Sequence, residues 1–221
     1  MKRSVLETLA RDGARAWVRA LDCGNGEERL IDPFTDDTPL GLAARRAAIA
    51  DISAEAEAEG RTWFLEVHNP PLELAVIGAV HIAQPLAAMA RLANYRVHVI
   101  DPRTAFATEA RFPGVTLHSD WPDEFFAARP PSSRTALVVL AHDPKIDDPA
   151  LEAGLHSPAF YIGALGSKRT HATRLERLAA RGFGPDLLAR IRGPAGLPIG
   201  ARSPAEIALS ILAQMTQTLR G

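Results

Sequence analysis

The sequence predicts an α/β protein, a doubly wound parallel sheet preceded by a small α+β segment. Three observations lead there. After Pro71, short apolar runs alternate with stretches of helical periodicity, the order that strand–helix–strand units require. The strongest runs are apolar at every position, as in strands covered by helices on both faces. The double proline in Asn69-Pro70-Pro71 is the best boundary signal, dividing residues 1–70 from 71–221.

In the first segment, residues 14–32 read as two short strands around the turn sequence Cys23-Gly24-Asn25-Gly26. Alanine, glutamate and arginine dominate from Leu40 to Gly60, which predicts one helix ended by a glycine. Trp63 to Val67 reads as a strand. In the second segment Leu74–Ile77 is the first strand, and His81–Ala93 a helix with Ile82, Leu86, Met89 and Ala93 at helical spacing. Asn94 suits a left-handed helix terminus. Val97–Ile100, Val115–Leu117, Ala136–Leu140 and Phe160–Ile162 are further strands. Arg169–Arg181 is a helix with Leu175 and Leu178 inward, and Pro204–Leu219 closes the chain as another. Right-handed crossovers then leave the doubly wound sheet as the simplest topology.

Composition narrows the function. Across 221 residues, 25 basic side chains meet 26 acidic ones, and no long basic run occurs, which argues against a nucleic-acid binder. No apolar stretch approaches the roughly 20 residues of a membrane span. Met1–Glu7 lacks the apolar core of a secretory signal. With one cysteine, Cys23, a cytoplasmic, reducing address fits best, and neither an internal disulfide nor a cysteine metal cluster is expected. Only three of the basic residues are lysines: Lys2, Lys145 and Lys168. Two of them fall in loops expected to face a ligand.

Ligands of doubly wound sheets bind beyond the carboxyl ends of the strands, so three loops carry the interest. Gly78-Ala79-Val80-His81-Ile82-Ala83 keeps the first glycine and the final small residue of a dinucleotide fingerprint, but Val80 stands where a glycine lets the backbone approach a pyrophosphate. Asp101 ends the next strand, where an acidic residue would hold a ribose hydroxyl, and Arg103 follows either as a phosphate contact or as a solvated arginine after a turn. The second loop, from Ala141 to Asp148, gathers His142, Asp143, Lys145, Asp147 and Asp148 after the strongest strand, with His142 and Asp143 only weak candidates for metal ligands. The third, from Gly163 to Thr170, places Gly166, Ser167, Lys168 and Arg169 before a helix, where backbone amides and the helix dipole favour an anion. It lacks the spacing of a triphosphatase P-loop. No G-x-S-x-G elbow occurs, and Cys23 has no base at a useful spacing. His98, within a strand, reads as structural, and Trp63, Trp121 and Phe126 as packing residues.

Taken in order, several of these motifs resemble one family. Asn69-Pro70-Pro71, Val76-Ile77-Gly78-Ala79-Val80-His81-Ile82-Ala83, Val99-Ile100-Asp101-Pro102-Arg103, His142-Asp143-Pro144-Lys145, Tyr161 to Arg169, Gly196 to Arg202 and Pro204 to Ile211 are similar to the XdhC/CoxI family of xanthine dehydrogenase accessory proteins. The resemblance implies a Rossmann-like domain that binds molybdenum cofactor (molybdopterin), shields it and delivers it to a molybdenum hydroxylase such as xanthine dehydrogenase. It implies no turnover by the chain itself. A cysteine desulfurase is a further expected partner, and a second copy of the chain is expected to complete the site. The cofactor phosphate would be met by Lys145 and by Gly166 to Arg169. The front segment departs from the family, since no G-G-C-x-E stretch occurs. A nicotinamide-dependent oxidoreductase using Asp101, or a nucleotide-sensing module, remains the alternative.

Overall fold

The computed structural model describes residues 15–221, so the signal-sequence reading of Met1–Glu7 lies outside the described residues. These fall into two compact units that divide between Pro70 and Pro71.

The first unit is a four-stranded antiparallel sheet in the order β2-β1-β4-β3, with one helix against it. Strands β1 (Trp17–Asp22) and β2 (Glu28–Ile31) form the expected hairpin, and β4 (Arg61–His68) contains the Trp63–Val67 run. The helix expected over 40–60 is only half present. Helix α1 spans Pro39–Ala50, capped by the Thr38 side chain and stopped by Asp51 at a left-handed φ of 58°. The remainder is strand β3 (Ala54–Ala58), paired with β4. Gly60 is therefore no helix terminator. Glu59 and Gly60, both at positive φ, make the two-residue turn of a hairpin, and the alternation Ala-Glu-Ala-Glu-Ala fits a strand. Trp63 and Leu65 project from β4 onto Leu40, Ala44 and Ala48, burying the small-residue face of α1.

The second unit is a six-stranded, wholly parallel sheet in the order β10-β9-β8-β5-β6-β7. Its strands are β5 (Leu72–Ile77), β6 (Tyr95–Ile100), β7 (Thr116–His118), β8 (Thr135–Val139), β9 (Tyr161–Ala164) and β10 (Ile191–Arg192). Winding outward from β5 in both directions, it has the Rossmann order. Along β5, Leu74 and Val76 enter one core while Ala75 and Ile77 enter the other, which is why an unbroken apolar run was needed. Helices α2 (Ala83–Leu92) and α7 (Pro204–Arg220) cover the first face. Helices α3 (Pro122–Ala128), α4 (Pro144–Leu155) and α5 (Lys168–Ala180) cover the second, and α6 (Pro185–Leu188) is a single short turn.

Helix α2 starts two residues later than its periodicity predicts, and Asn94 closes it at φ 63°. Trp63 and Phe126 are buried as expected, but Trp121 is 44% exposed at the start of α3.

Candidate functional site

The reversal of strand order lies between β5 and β8, and the loops leaving these two strands meet there. Gly78 makes that meeting possible. Its φ is 100°, and a Cβ on it would fall 2.8 Å from the backbone of Ala141. Its amide donates to the Ile100 carbonyl at 2.9 Å, so the loop is tied to β6 as well as to β8.

The first loop is otherwise engaged internally. Ala79 is fully buried, and its amide donates to Asp101 Oδ2 at 2.8 Å. Asp101 also accepts from the Arg103 amide and from Arg103 Nε and Nη2, all within 3.0 Å, and it is 0% exposed. Burial pushes this carboxyl up, but the hydrogen bonds from Arg103 and Ala79 outweigh it and hold the group below the usual carboxylate range. Both Asp101 oxygens are thus engaged within the protein, where they brace the β5 and β6 loops. Arg103 is shared between this pair and the face of Phe106, 5.0 Å away. Val80 is half-buried against the core and His81 is exposed.

Gly163 does not belong to the third loop. Strand β9 runs through Ala164, and the space where a Cβ of Gly163 would stand is taken by the Tyr161 ring. Ser167 caps α5, its Oγ accepting from the Thr170 amide at 3.1 Å. Lys168 and Arg169 are the exposed first residues of that helix, whose opening amides have no acceptors within the helix. The second loop is shorter than its composition suggests, because α4 begins at Pro144. Asp143 caps it by accepting from the Lys145 amide at 3.0 Å, and the Lys145 side chain is exposed. His142, also exposed, has φ 60°, an uncommon conformation for a non-glycine residue and one associated with functional loops.

The topology thus brings His81, His142, Lys145, Gly166, Lys168 and Arg169 to the carboxyl edge of one sheet. The ion pairs nearby run between α4 and α5: Arg177 and Arg181 with Asp148, Arg181 with Glu152, and Arg174 with Asp147. Lys145, Lys168 and Arg169 are not in them. One more loop reaches this edge, from Gly193 to Arg202 after β10. Gln214 on α7 holds it, accepting from the Gly196 amide at 2.8 Å, donating to the Gly196 carbonyl at 3.3 Å, and accepting from the Tyr161 hydroxyl at 2.7 Å.

Sequence reasoning missed Arg174. It is 2% exposed, and its Nη2 donates to the Leu165 carbonyl at 3.0 Å, beneath the third loop. The signal was present: Arg174 lies four residues before the inward Leu178, on the buried face of α5. Among the described residues there is no group of three His, Cys, Asp or Glu side chains able to hold a metal ion, and no helix long and apolar enough to cross a membrane.

Comparison with known proteins fits this geometry. Residues 74–215 match the family model of the XdhC Rossmann domain. The chain is 32% identical over 147 residues to the Escherichia coli molybdenum cofactor insertion chaperone PaoD, covering 66% of this chain and 40% of that protein. It is 31% identical over 156 residues to a probable xanthine dehydrogenase subunit from Bacillus subtilis, covering 70% and 45% respectively. It thus spans less than half the length of these two curated relatives. A crystal structure from Bacillus halodurans, described as a xanthine dehydrogenase, superposes with a TM-score of 0.71 at 22% identity, over 99% of this chain and 63% of that one, which shows a common fold. With the Rossmann strand order, the edge loops and the family match in agreement, the chain belongs to the XdhC family.

Proposed function

We propose that the chain is an accessory protein that binds molybdenum cofactor at the carboxyl edge of its parallel sheet, shields it and delivers it to a molybdenum hydroxylase of the xanthine dehydrogenase type. The observation that carries this reading is the placing of Lys145, Lys168 and Arg169, exposed and outside the ion-pair network, in the first turns of α4 and α5 at the carboxyl edge of the sheet. A phosphate monoester such as the one on the pterin dithiolene would find charge and backbone donors together there. The name of the Escherichia coli relative, a molybdenum cofactor insertion chaperone, supports the choice of cargo.

In this reading Gly78, Ala79, Val80 and the Asp101–Arg103 pair form a rigid wall rather than a set of ligand contacts. The cofactor is cargo, and no residue has a catalytic role. Engagement of the Ala79 amide and of Asp101 within the protein disfavours a dinucleotide in this edge. The test is purification under anaerobic conditions from the native host, followed by mass analysis of the released ligand and pterin fluorescence after oxidation. A phosphorylated pterin is the expected ligand; a nicotinamide dinucleotide in its place would refute the reading.

A further inference from the structure

Buried polar atoms without partners are few in folded proteins, and each asks for an explanation. Among the described residues of the second unit they all fall on two helices of one face, α4 and α5: Asp147 Oδ1, His171 Nδ1, and Arg174 Nε and Nη1. His171 and Arg174 are three residues apart on α5, hence neighbours, and Arg174 Nη2 stands 3.7 Å from Asp147 Oδ2. Asp147 and Arg174 are each 2% exposed. Asp147, in the first turn of α4, lies beside the Ala141 amide, while Arg174 donates to the Leu165 carbonyl. One partner therefore sits against the loop after β8 and the other holds the loop after β9, and Lys145 and Lys168 open the helices that follow these two loops.

The pair is loose for buried charges. At 3.7 Å it is outside hydrogen-bonding distance, and three of its polar atoms lack any partner, so the attraction compensates desolvation poorly. Asp147 faces Arg174 and Arg177 from α5, Arg103 from the loop after β6, and Asp143 and Asp148 on its own helix. Burial, opposed by Arg174 and reinforced by Asp148, pushes its carboxyl up to about 7. With Asp147 ionised, the pair presents no net charge to a ligand. With Asp147 neutral, Arg174 loses its nearest carboxylate; Asp148, already paired with Arg177, is the carboxylate that still attracts it, and an anion bound near the loop would stabilise the buried cation.

We propose that this edge takes its oxyanion together with one proton, the proton going to Asp147 and leaving Arg174 as the positive charge beneath the bound anion. This rests on the reading that the edge holds anionic cargo, and it adds a chemical condition: the ligand is bound best by the protonated protein and released as that proton leaves. By linkage, anion binding raises the proton affinity of Asp147 by the same factor that protonation raises anion affinity.

The experiment uses the full chain and sulfate, a tetrahedral dianion that does not titrate in this range, so any proton taken up is the protein's. Titration calorimetry in two buffers of different ionisation enthalpy, at about pH 7.5, measures that uptake without any variant. Up to one proton per sulfate is expected, with affinity weakening by up to about tenfold per pH unit above neutrality. Asp147→Asn should bind at least as tightly as wild type at about pH 8, with little pH dependence, and Arg174→Gln should lose binding more than tenfold. Absence of sulfate binding by wild type, binding without proton uptake, or a pH dependence that survives Asp147→Asn and vanishes in His171→Gln or His142→Gln would overturn the proposal. Each of these results leaves the cargo reading standing if the copurified ligand is still a phosphorylated pterin.

Discussion

Gly78 and Asp101 are the residues of the dinucleotide-like fingerprint most tightly engaged within the protein itself. Gly78 packs its bare Cα against Ala141, and Asp101 accepts four hydrogen bonds, one from Ala79 that joins two loops and three from Arg103 in its own loop. Gly78→Ala should cost about 2–4 kcal/mol, because it adds a backbone clash to an unfavourable positive φ; urea denaturation measures this. Two titrating residues make a second prediction. Burial and His118 push His98 down to about 4, so the fold keeps it neutral; its contribution is present above the unfolded value of 6.5 and is lost as pH falls toward 4. Asp147 has the opposite sign. The fold keeps its proton up to about 7, so its contribution is present below 3.8 and is lost as pH rises through 7. Between about pH 4 and 6.5 the two slopes oppose each other. Asp147→Asn should therefore gain stability relative to wild type as pH rises through this window, and His98→Asn should lose it. Denaturation midpoints that run parallel to wild type would contradict both assignments.

At the scale of elements, what was legible depended on whether a local pattern had one physical meaning. The apolar runs of β5 and β8 marked buried strands, and α7 lies where the sequence placed the closing helix, its start fixed by a capping box of Ser203 and Glu206. Alanine and glutamate between Ala54 and Ala58 fit helix composition and strand alternation equally well; pairing with β4, a tertiary fact, decides for the strand. The start of α4 was hidden because Asp143-Pro144 is both a turn signal and a cap followed by proline at the first helical position. The candidate site was legible as loops but not as roles. Sequence order placed Lys145, Lys168 and Arg169 at the edge, while the engagement of Asp101 and the burial of Arg174 depend on contacts across the fold. The loop after β10 depends on Gln214 in the same way. Gln214→Leu should cost about 1–3 kcal/mol and raise amide exchange selectively within residues 193–202, because it leaves the Gly196 amide and the Tyr161 hydroxyl without their acceptor. Protection unchanged in that loop would show that something else holds it.

For the molecule as a whole, a near-neutral charge conceals a local concentration. The acidic and basic totals nearly cancel, and arginines near the edge are paired with carboxylates, yet two of the three lysines stand in the first turns of α4 and α5, beyond the carboxyl ends of β8 and β9. That distribution suits a protein that holds an anionic cargo and gives it up, since exposed cations attract without the desolvation that would make release slow. The most direct measurement is the affinity of the full chain for molybdenum cofactor, compared with that of the Lys145→Ala, Lys168→Ala double variant under anaerobic conditions. Both positions are exposed, so the fold should be unaffected, and thermal unfolding checks this. A loss of tenfold or more in affinity at low salt, shrinking as salt is added, is the predicted result; unchanged affinity in a folded double variant would contradict the placement of the cargo on this edge.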